Sequence, residues 1–347
     1  MYYSQNKLLD HLFKTPLLFL ILKILSFVYI TIIKIRLLAY KNKLLKSFSA
    51  PCKVISIGNI TCGGSGKSPF VIFLSKLISN QKILILSRGY GRSKNTNKDD
   101  EDISHLNLDH VTRIANKKRA LMAKSYIKNN PTDLIILDDG FQHLQIKRDV
   151  DILLIDALSP FSNDHVLPAG LLREPHSHIK RASIIILSKS NQVAPSKIIL
   201  LQKKIKKIHP KCKILLSQHS FSHFTNLKDK QLIKDKNFFQ AHKVFAFCGI
   251  GNPESFFQTL NDLNIHPIKS KTYADHHPFN ENDIKKINHL SQEADYILCT
   301  EKDAIKLKPF LFHKPIYTVN ISLTMNKDCL QKFIKYLKQL NIDITHP

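Results

Sequence analysis

The stretch that decides the fold is VISIGNITCGGSGKSP, residues 54–69. A short apolar run leads into closely spaced glycines, and Lys67-Ser68 opens a helical pattern near Ser68–Ile78. In a strand, loop and helix of this kind, backbone N–H groups surround phosphate oxygens, the lysine reaches the β- and γ-phosphates, and the following hydroxyl coordinates Mg²⁺. The sequence therefore predicts a nucleotide-phosphate loop with these members: Thr61, Gly63, Gly64, Ser65, Gly66, Lys67 and Ser68.

This loop departs from the strict pattern at one position. Thr61 stands where G-x-x-x-x-G-K-[ST] has its first glycine, so a glycine-rich turn with a chance lysine remains an alternative. A second signal supports the nucleotide interpretation, because the apolar run Leu134–Leu137 is followed by Asp138-Asp139-Gly140. Ligands and Mg²⁺ bind at the carboxyl ends of strands in α/β sheets, although Asp-Asp-Gly alone is more often a turn.

Further apolar runs alternate with amphipathic segments, which predicts parallel sheets covered by helices. We expect an α/β protein with two α/β/α units and mostly parallel sheets, the first resembling P-loop NTPases. The predicted domains are a membrane-associated N-terminal helix at 1–45, a domain with the phosphate loop at 46–215, and a second α/β domain at 216–347. Gln218–Asp235 is polar and is predicted to be a connecting region. The predicted strands are Val54–Ile57, Ile83–Leu86, Leu134–Leu137, Ile152–Ile155, Ile184–Leu187, Val244–Phe247, Tyr296–Cys299 and Ile316–Val319. The predicted helices, besides Ser68–Ile78, are Lys117–Lys128, Pro195–Ile208, Pro253–Leu263, Asn280–Leu290 and Lys302–Leu307.

Leu17–Ile33 is apolar apart from Lys23 and a few small polar or tyrosine side chains, and a basic flank follows at Lys34, Arg36, Lys41, Lys43 and Lys46. Such a helix is predicted to lie in or dip into the cytoplasmic leaflet, with the basic flank on anionic headgroups. A run this short is also compatible with a buried helix of a soluble protein.

Composition limits the partners. The formal net charge of +25 favours anionic lipid headgroups, polyanions or a phosphorylated substrate. The lysines are spread along the chain and Trp is absent, so no nucleic-acid partner is expected. The 6 cysteines form no CxxC pair, which predicts reduced thiols in a cytoplasmic protein and no cysteine-bound metal.

Eight blocks in order resemble the tetraacyldisaccharide 4'-kinase family, the lipid A kinases. They are GNITCGGSGKSP (58–69), LSRGYGR (86–92), LDDGFQH (137–143), DILLIDA (151–157), LPAGLLREP (167–175), GIGNPESFF (249–257), ADHHPF (274–279) and TEKDAIKL (300–307). The resemblance implies transfer of the γ-phosphoryl group of ATP, with Mg²⁺, to the 4'-hydroxyl of a tetraacyldisaccharide 1-phosphate in lipid A biosynthesis. It also implies that 46–215 is a P-loop kinase domain, that the domain at 216–347 closes the active-site cleft, and that the protein is located at the cytoplasmic face of the inner membrane.

The resemblance further implies roles for particular residues. The family's Gly-Asp-Glu-Pro block has its nearest counterpart at Asp99–Asp102, which aligns Asp100 as the base, supported by His276. Lys67, Asp138 and Asp139 complete the implied catalytic set. The implied substrate or phosphate shell is Asn59, Arg88, Glu101, Arg119, Gln142, His143, Arg173 and Glu174. The implied metal ligands are Ser68, Asp139 and Glu174.

Several of these residues have a structural alternative. Asp99–Asp102 is compatible with a solvated acidic turn, His276 and His277 with loop caps, and Arg173-Glu174 with a surface ion pair. His143 is equally compatible with a structural histidine. Thr300–Asp303 and Asn252-Pro253 have the pattern of helix N-termini.

Two other functions compete with the lipid kinase. A membrane-docked P-loop ATPase or GTPase acting on a protein partner would explain the loop, but neither Thr61 nor the DHH block favours it. A basic membrane or nucleic-acid binder without catalysis leaves the phosphate loop and Asp138-Asp139 unexplained.

Overall fold

The computed structural model describes residues 15–62, 66–89, 108–275, 277–307 and 310–344. Among these residues the chain forms two compact units, one comprising 15–218 and 323–344 and the other 219–322. The division falls after residue 218, and the C-terminal residues 323–344 belong to the first unit. They pack with the first unit because the apolar face of a C-terminal helix, with Phe333 and Leu337, joins the core of the first sheet.

The first unit is built on a parallel sheet of seven described strands. In chain order they are β1 (Lys53–Gly58), β2 (Ile83–Ser87), β3 (Val111–Ala115), β4 (Leu134–Asp138), β5 (Val150–Asp156), β6 (Ile184–Ser188) and β7 (Lys213–Leu216). Their order across the sheet is β3-β2-β4-β1-β5-β6-β7. The central strands are buried along their length, as continuous apolar runs require when helices cover both faces.

The helices of this unit cover the sheet from both sides. After the N-terminal helix α1 (Pro16–Lys41) they are α2 (Lys67–Leu77), α3 (Arg119–Asn129), α4 (Pro195–Ile208) and, near the C-terminus, α8 (Lys327–Lys338). Phe70 of α2 contacts Phe333 of α8 with ring centroids 5.8 Å apart, and both lie in the core on one face of the sheet. Ala123 of α3 and Ile205 of α4 belong to two further clusters of this unit.

The second unit contains a sheet of six described strands in the order β11-β10-β12-β13-β8-β9. They are β8 (Gln218–Asn226), β9 (Leu232–Ile233), β10 (Val244–Cys248), β11 (Lys269–Thr272), β12 (Tyr296–Thr300) and β13 (Ile316–Thr324). Its helices are α5 (Pro253–Asp262), α6 (Glu281–Leu290) and α7 (Glu301–Leu307). Pairs among β10 to β13 are parallel and β8 pairs antiparallel with β9. The prediction of Gln218–Asp235 as a connecting region was wrong, because most of it forms β8 and β9.

The N-terminal helix is longer than its apolar run. It has 26 residues, and within the described part of the chain it is the one helix long and apolar enough to cross a membrane. Only Ser26 is buried in it, and 6% of its apolar window is buried. The alternative of a buried helix of a soluble protein does not fit these exposures.

Candidate functional site

The phosphate loop connects β1 to α2. Gly66 precedes the helix with a φ of 81°, a left-handed conformation that glycine adopts without strain. Lys67 and Ser68 are the first two residues of α2, and at this end of a helix the free backbone N–H groups and the helix dipole favour an anion. At the start of the loop the Asn59 amide donates to the Thr61 hydroxyl at 3.3 Å. Gly63, Gly64 and Ser65 lie outside the described residues.

The acidic turn lies beside this loop. Strands β1 and β4 pair in parallel with Ile57 opposite Asp138, and the Gly140 N–H donates to the Ile57 carbonyl at 2.9 Å. Gly58 has no room for a side chain, because a Cβ there would lie 2.6 Å from the Cβ of Phe141. The close approach of the two segments holds Asp138 and Asp139 next to the beginning of the phosphate loop.

Three charged side chains meet at this turn. Arg173 Nη1 donates to both carboxylate oxygens of Asp139 at 2.9 Å, and Lys67 Nζ lies 3.6 Å from Oδ1 of the same carboxylate. The side chains are 13% exposed for Asp139, 14% for Lys67 and 23% for Arg173, so solvent screens them only in part. The structure thus brings together two predicted catalytic residues and one predicted shell residue.

Electrostatics hold Asp139 ionised. Burial acts to raise the pKa of Asp139, but the charges of Lys67 and Arg173 outweigh it and lower this pKa from 3.8 to about 2. For Arg173 burial acts to lower the pKa, and the Asp139 carboxylate nevertheless raises it above its ordinary value. The cluster therefore carries one negative and two positive charges at neutral pH.

Arg119 and Gln142 support the backbone of the site. Arg119 is 6% exposed, and its Nη1 donates to the carbonyls of Asp138 at 2.8 Å and Asp139 at 3.2 Å. The Gln142 amide donates to the Asn59 carbonyl at 2.9 Å. Asp139 has a φ of 51°, a left-handed conformation that costs energy in a non-glycine residue, so these bonds help to hold the turn.

His143 is buried at the end of the same turn, and its backbone N–H donates to the Gly140 carbonyl at 2.8 Å. Burial lowers the pKa of His143 to about 3, and the nearby cations Arg119 and Arg148 act in the same direction. The imidazole is therefore neutral at physiological pH. This environment fits the structural alternative for His143 better than contact with a phosphate.

Glu174, which the resemblance implies as a metal ligand and shell residue, is bonded to Arg181 and His178. Its carboxylate accepts two bonds from Arg181 Nη2 at 2.8 and 2.6 Å, and Oε2 lies 2.6 Å from His178 Nδ1. The residue is 2% exposed, so the alternative of a surface ion pair does not fit it. The Arg181 guanidinium also stacks on the Phe141 ring at 4.2 Å. Sequence analysis missed Arg181 and His178, although both follow in the polar segment HSHIKR that comes directly after the block ending at Pro175.

The remaining predicted residues are described only in part. Arg88 directly follows β2, whereas Asp100, Glu101 and His276 lie outside the described residues. In the second unit the two helix-start interpretations are confirmed. The Asn252 side chain accepts the Ser255 N–H at 3.3 Å, and Thr300 Oγ1 accepts the Asp303 N–H at 3.2 Å.

Comparison with known proteins gives one consistent result. A family model described as tetraacyldisaccharide-1-P 4'-kinase matches residues 18–339. A protein from Halothermothrix orenii named tetraacyldisaccharide 4'-kinase is 32% identical, covering 91% of this chain and 92% of its own. One of the same name from Desulfotalea psychrophila is 30% identical, covering 93% and 97%. The crystal structure of LpxK from Aquifex aeolicus in complex with ATP superposes with a TM-score of 0.70 at 26% identity, covering 97% of this chain and 100% of that one.

Proposed function

The chain belongs to the tetraacyldisaccharide-1-P 4'-kinase family, a family of kinases, and from this membership and the geometry of the site we propose how it acts. The proposed reaction transfers the γ-phosphoryl group of ATP to the 4'-hydroxyl of a tetraacyldisaccharide 1-phosphate. The observation that supports it most directly is the convergence of Lys67 and Arg173 on Asp139 beside the phosphate loop. Cations placed there meet the developing charge of a transferring phosphoryl group.

The residues at the loop fit a Mg²⁺-nucleotide. Mg²⁺ prefers oxygen ligands and commonly takes one or two from the protein and the rest from phosphates and water. Ser68 offers a hydroxyl at the start of α2, and Asp138 and Asp139 offer carboxylates at the end of β4. We propose Ser68, Asp139 and the Glu174 that the resemblance adds as the protein ligands, with Asp139 releasing part of its bonding to Arg173 when nucleotide binds. Bound Mg²⁺ would neutralise phosphate charge.

Lys67 and Arg173 each have a defined role in this proposal. The distance of 3.6 Å between Lys67 Nζ and Asp139 is longer than a hydrogen bond, so Lys67 is held by charge alone and can turn to the β- and γ-phosphates. Arg173 presents a planar guanidinium suited to a phosphate oxygen pair. Asp100 remains the proposed proton acceptor and His276 its support, on the resemblance alone.

The N-terminal helix is the proposed membrane contact. Its exposed apolar side chains and the basic residues around its C-terminal end suit a helix embedded in the leaflet of an anionic membrane. Such a position would give the enzyme access to a lipid substrate that does not leave the bilayer. The proposed location is the cytoplasmic face of the inner membrane, where ATP is available.

The test is a direct kinase assay. Purified full-length protein is incubated with ATP, Mg²⁺ and tetraacyldisaccharide 1-phosphate, and the bis-phosphorylated lipid is quantified. We expect wild type to form this product and Lys67→Ala to lose about 100-fold or more in kcat, because phosphate charge is then not neutralised. Lys53→Ala is the matched control, since the Lys53 side chain is 43% exposed and pairs with Asp149 at 3.5 Å, away from the loop. Unchanged turnover in Lys67→Ala refutes the assignment of the loop, and wild type without lipid product refutes the acceptor.

A further inference from the structure

The membrane helix contacts the first unit along a narrow stripe. Most of its perimeter is exposed, including Leu20 at 55%, Ile24 at 58% and Phe27 at 71%. Ser26 is its one buried residue and is 7% exposed. Tyr29 is partly buried against the core cluster that includes residues of β5, β6 and α4. The side of α1 that meets the protein thus presents two hydroxyl groups within an otherwise apolar sequence.

Ser26 is bonded to the segment that follows β5. We call residues 165–173, HVLPAGLLR, the strap. The Ser26 hydroxyl lies 2.8 Å from the Val166 carbonyl and 2.9 Å from the Leu22 carbonyl of its own helix, and its oxygen accepts the Ala169 N–H at 3.1 Å. A buried hydroxyl without partners is unfavourable by about 1–3 kcal/mol, so these bonds explain why a serine is tolerated there.

Tyr29 bonds the other end of the strap. Its hydroxyl donates to the main-chain carbonyl of Arg173 at 3.2 Å. Near the beginning of the strap the ring of Phe19 meets His165 edge-on at 5.4 Å between centroids. The helix therefore touches the strap at its start, its middle and its last residue.

The strap is also tied to the phosphate loop. The Arg173 N–H donates to the Ile60 carbonyl at 2.7 Å, and the Cys62 N–H donates to the Leu171 carbonyl at 2.7 Å. Thr61 and Leu172 form an antiparallel bridge between these two bonds. The main chain of Arg173 is consequently fixed on both sides, by Ile60 at its N–H and by Tyr29 at its carbonyl.

From these contacts we propose that α1 is a positioning element for phosphoryl transfer, with Ser26 and Tyr29 holding the strap so that the Arg173 guanidinium reaches the phosphate site. This inference rests on the proposed kinase function. A guanidinium that shifts by about 1 Å loses much of its effect on a transition state. Membrane contact and catalysis then share one structural link, because the helix that enters the lipid also sets the arginine that meets the phosphates.

The experiment compares paired variants of α1 in the full-length protein. Ser26→Ala and Tyr29→Phe each remove a hydroxyl that bonds the strap. Thr31→Ala is the control for the first, since the Thr31 hydroxyl is exposed and bonds Phe27 of its own helix at 2.9 Å. Tyr40→Phe, further along the helix, is the control for the second. Thermal unfolding of every variant is recorded in the same detergent as the kinase assay.

We expect the Ser26→Ala/Tyr29→Phe double variant to lose about tenfold in kcat with less than about a twofold change in the KM for ATP, because positioning acts in the transition state. The two controls should match wild type. The decisive measurement repeats both substitutions in an Arg173→Ala background, where they should have no further effect on kcat, since the group they position is gone.

The possible results separate the two proposals. Wild-type kcat in the double variant, or an equal loss with and without Arg173, would overturn the positioning role and leave the kinase function intact. Wild type that forms no phosphorylated lipid would overturn the proposed function first. If the double variant has a lower melting temperature, the comparison is made with Tyr29→Phe alone, in wild type and in Arg173→Ala. The expected loss of kcat in the wild-type background is then smaller, about threefold.

Discussion

Replacing Asp139 by Asn tests the electrostatics of the site most directly. Asparagine keeps the shape of the side chain but removes the charge that faces Lys67 and Arg173. The pKa of Asp139 is lowered from 3.8 to about 2, which corresponds to about 2.5 kcal/mol of folding free energy at 1.36 kcal/mol for each pKa unit. The variant should therefore lose about 2–3 kcal/mol of unfolding free energy at pH 7.

The sign of the pH dependence follows from the direction of the shift. Because the folded-state pKa is the lower one, the contribution is complete above pH 3.8 and is lost as the pH falls through about 2. The stability difference between wild type and Asp139→Asn should thus be constant from about pH 7 to pH 5 and fall to about half near pH 3.

Urea unfolding of the full-length protein in detergent, followed across this pH range, measures the difference. Asp328→Asn is the matched control, because Asp328 pairs with Lys332 at 2.8 Å while both side chains are more than half exposed. A pair of that kind contributes at most about 0.5–1 kcal/mol. A difference below about 0.5 kcal/mol for Asp139→Asn at pH 7, or one that does not shrink toward pH 3, would refute the charge cluster as described.

Three other predictions follow from the site, the fold and the resemblance. His143→Gln should be less sensitive to acid than wild type, because the folded wild type keeps this imidazole neutral while the unfolded chain protonates it. Between pH 6.5 and 3 the unfolding free energy of wild type should fall faster than that of the variant, by up to about 1.4 kcal/mol per pH unit. Urea unfolding at several pH values measures this difference, and parallel curves for the two proteins would contradict it. Ile24→Asn/Phe27→Asn should weaken binding to anionic vesicles by about tenfold or more in flotation assays, because both side chains are exposed on α1, and equal flotation would point to another membrane surface. Asp100→Ala and His276→Ala should each lower kcat far more than they raise the KM for ATP, and non-additively in a double-mutant cycle; near-normal kcat in Asp100→Ala would show that the alignment of Asp99–Asp102 is wrong.

The sheet of the first unit was predictable where strands are central. In β1, β2, β4, β5 and β6 nearly every residue is buried, so the sequence shows uninterrupted apolar runs of the length that buried parallel strands have. Strand β3 was missed because it lies at the edge of the sheet and carries Thr112 and Arg113. Strand β8 was missed because its sequence, QHSFSHFTN, is mostly polar and only His219 and Phe224 are buried.

The phosphate loop and the acidic turn were found because each is a local pattern. The contact between Arg173 and Asp139 joins residues 34 positions apart and is not visible in either segment. Glu174 directly follows Arg173, but the partners of the two side chains differ, which the local sequence does not show. Arg173 reaches the site while Glu174 turns to Arg181 and His178.

The carboxylate of Asp139 keeps the two cations of the site in place. Lys67 and Arg173 would repel each other beside the loop if Asp139 did not lie between them. Asp139 is in turn held in a left-handed conformation, with Arg119 bonded to its carbonyl. A nucleotide brings several negative charges to the same place, so the two cations can turn from the carboxylate to the phosphates without either being left unpaired. In the proposed mechanism the carboxylate that they leave would then be available to the Mg²⁺ that accompanies the nucleotide, which would couple this exchange to nucleotide binding.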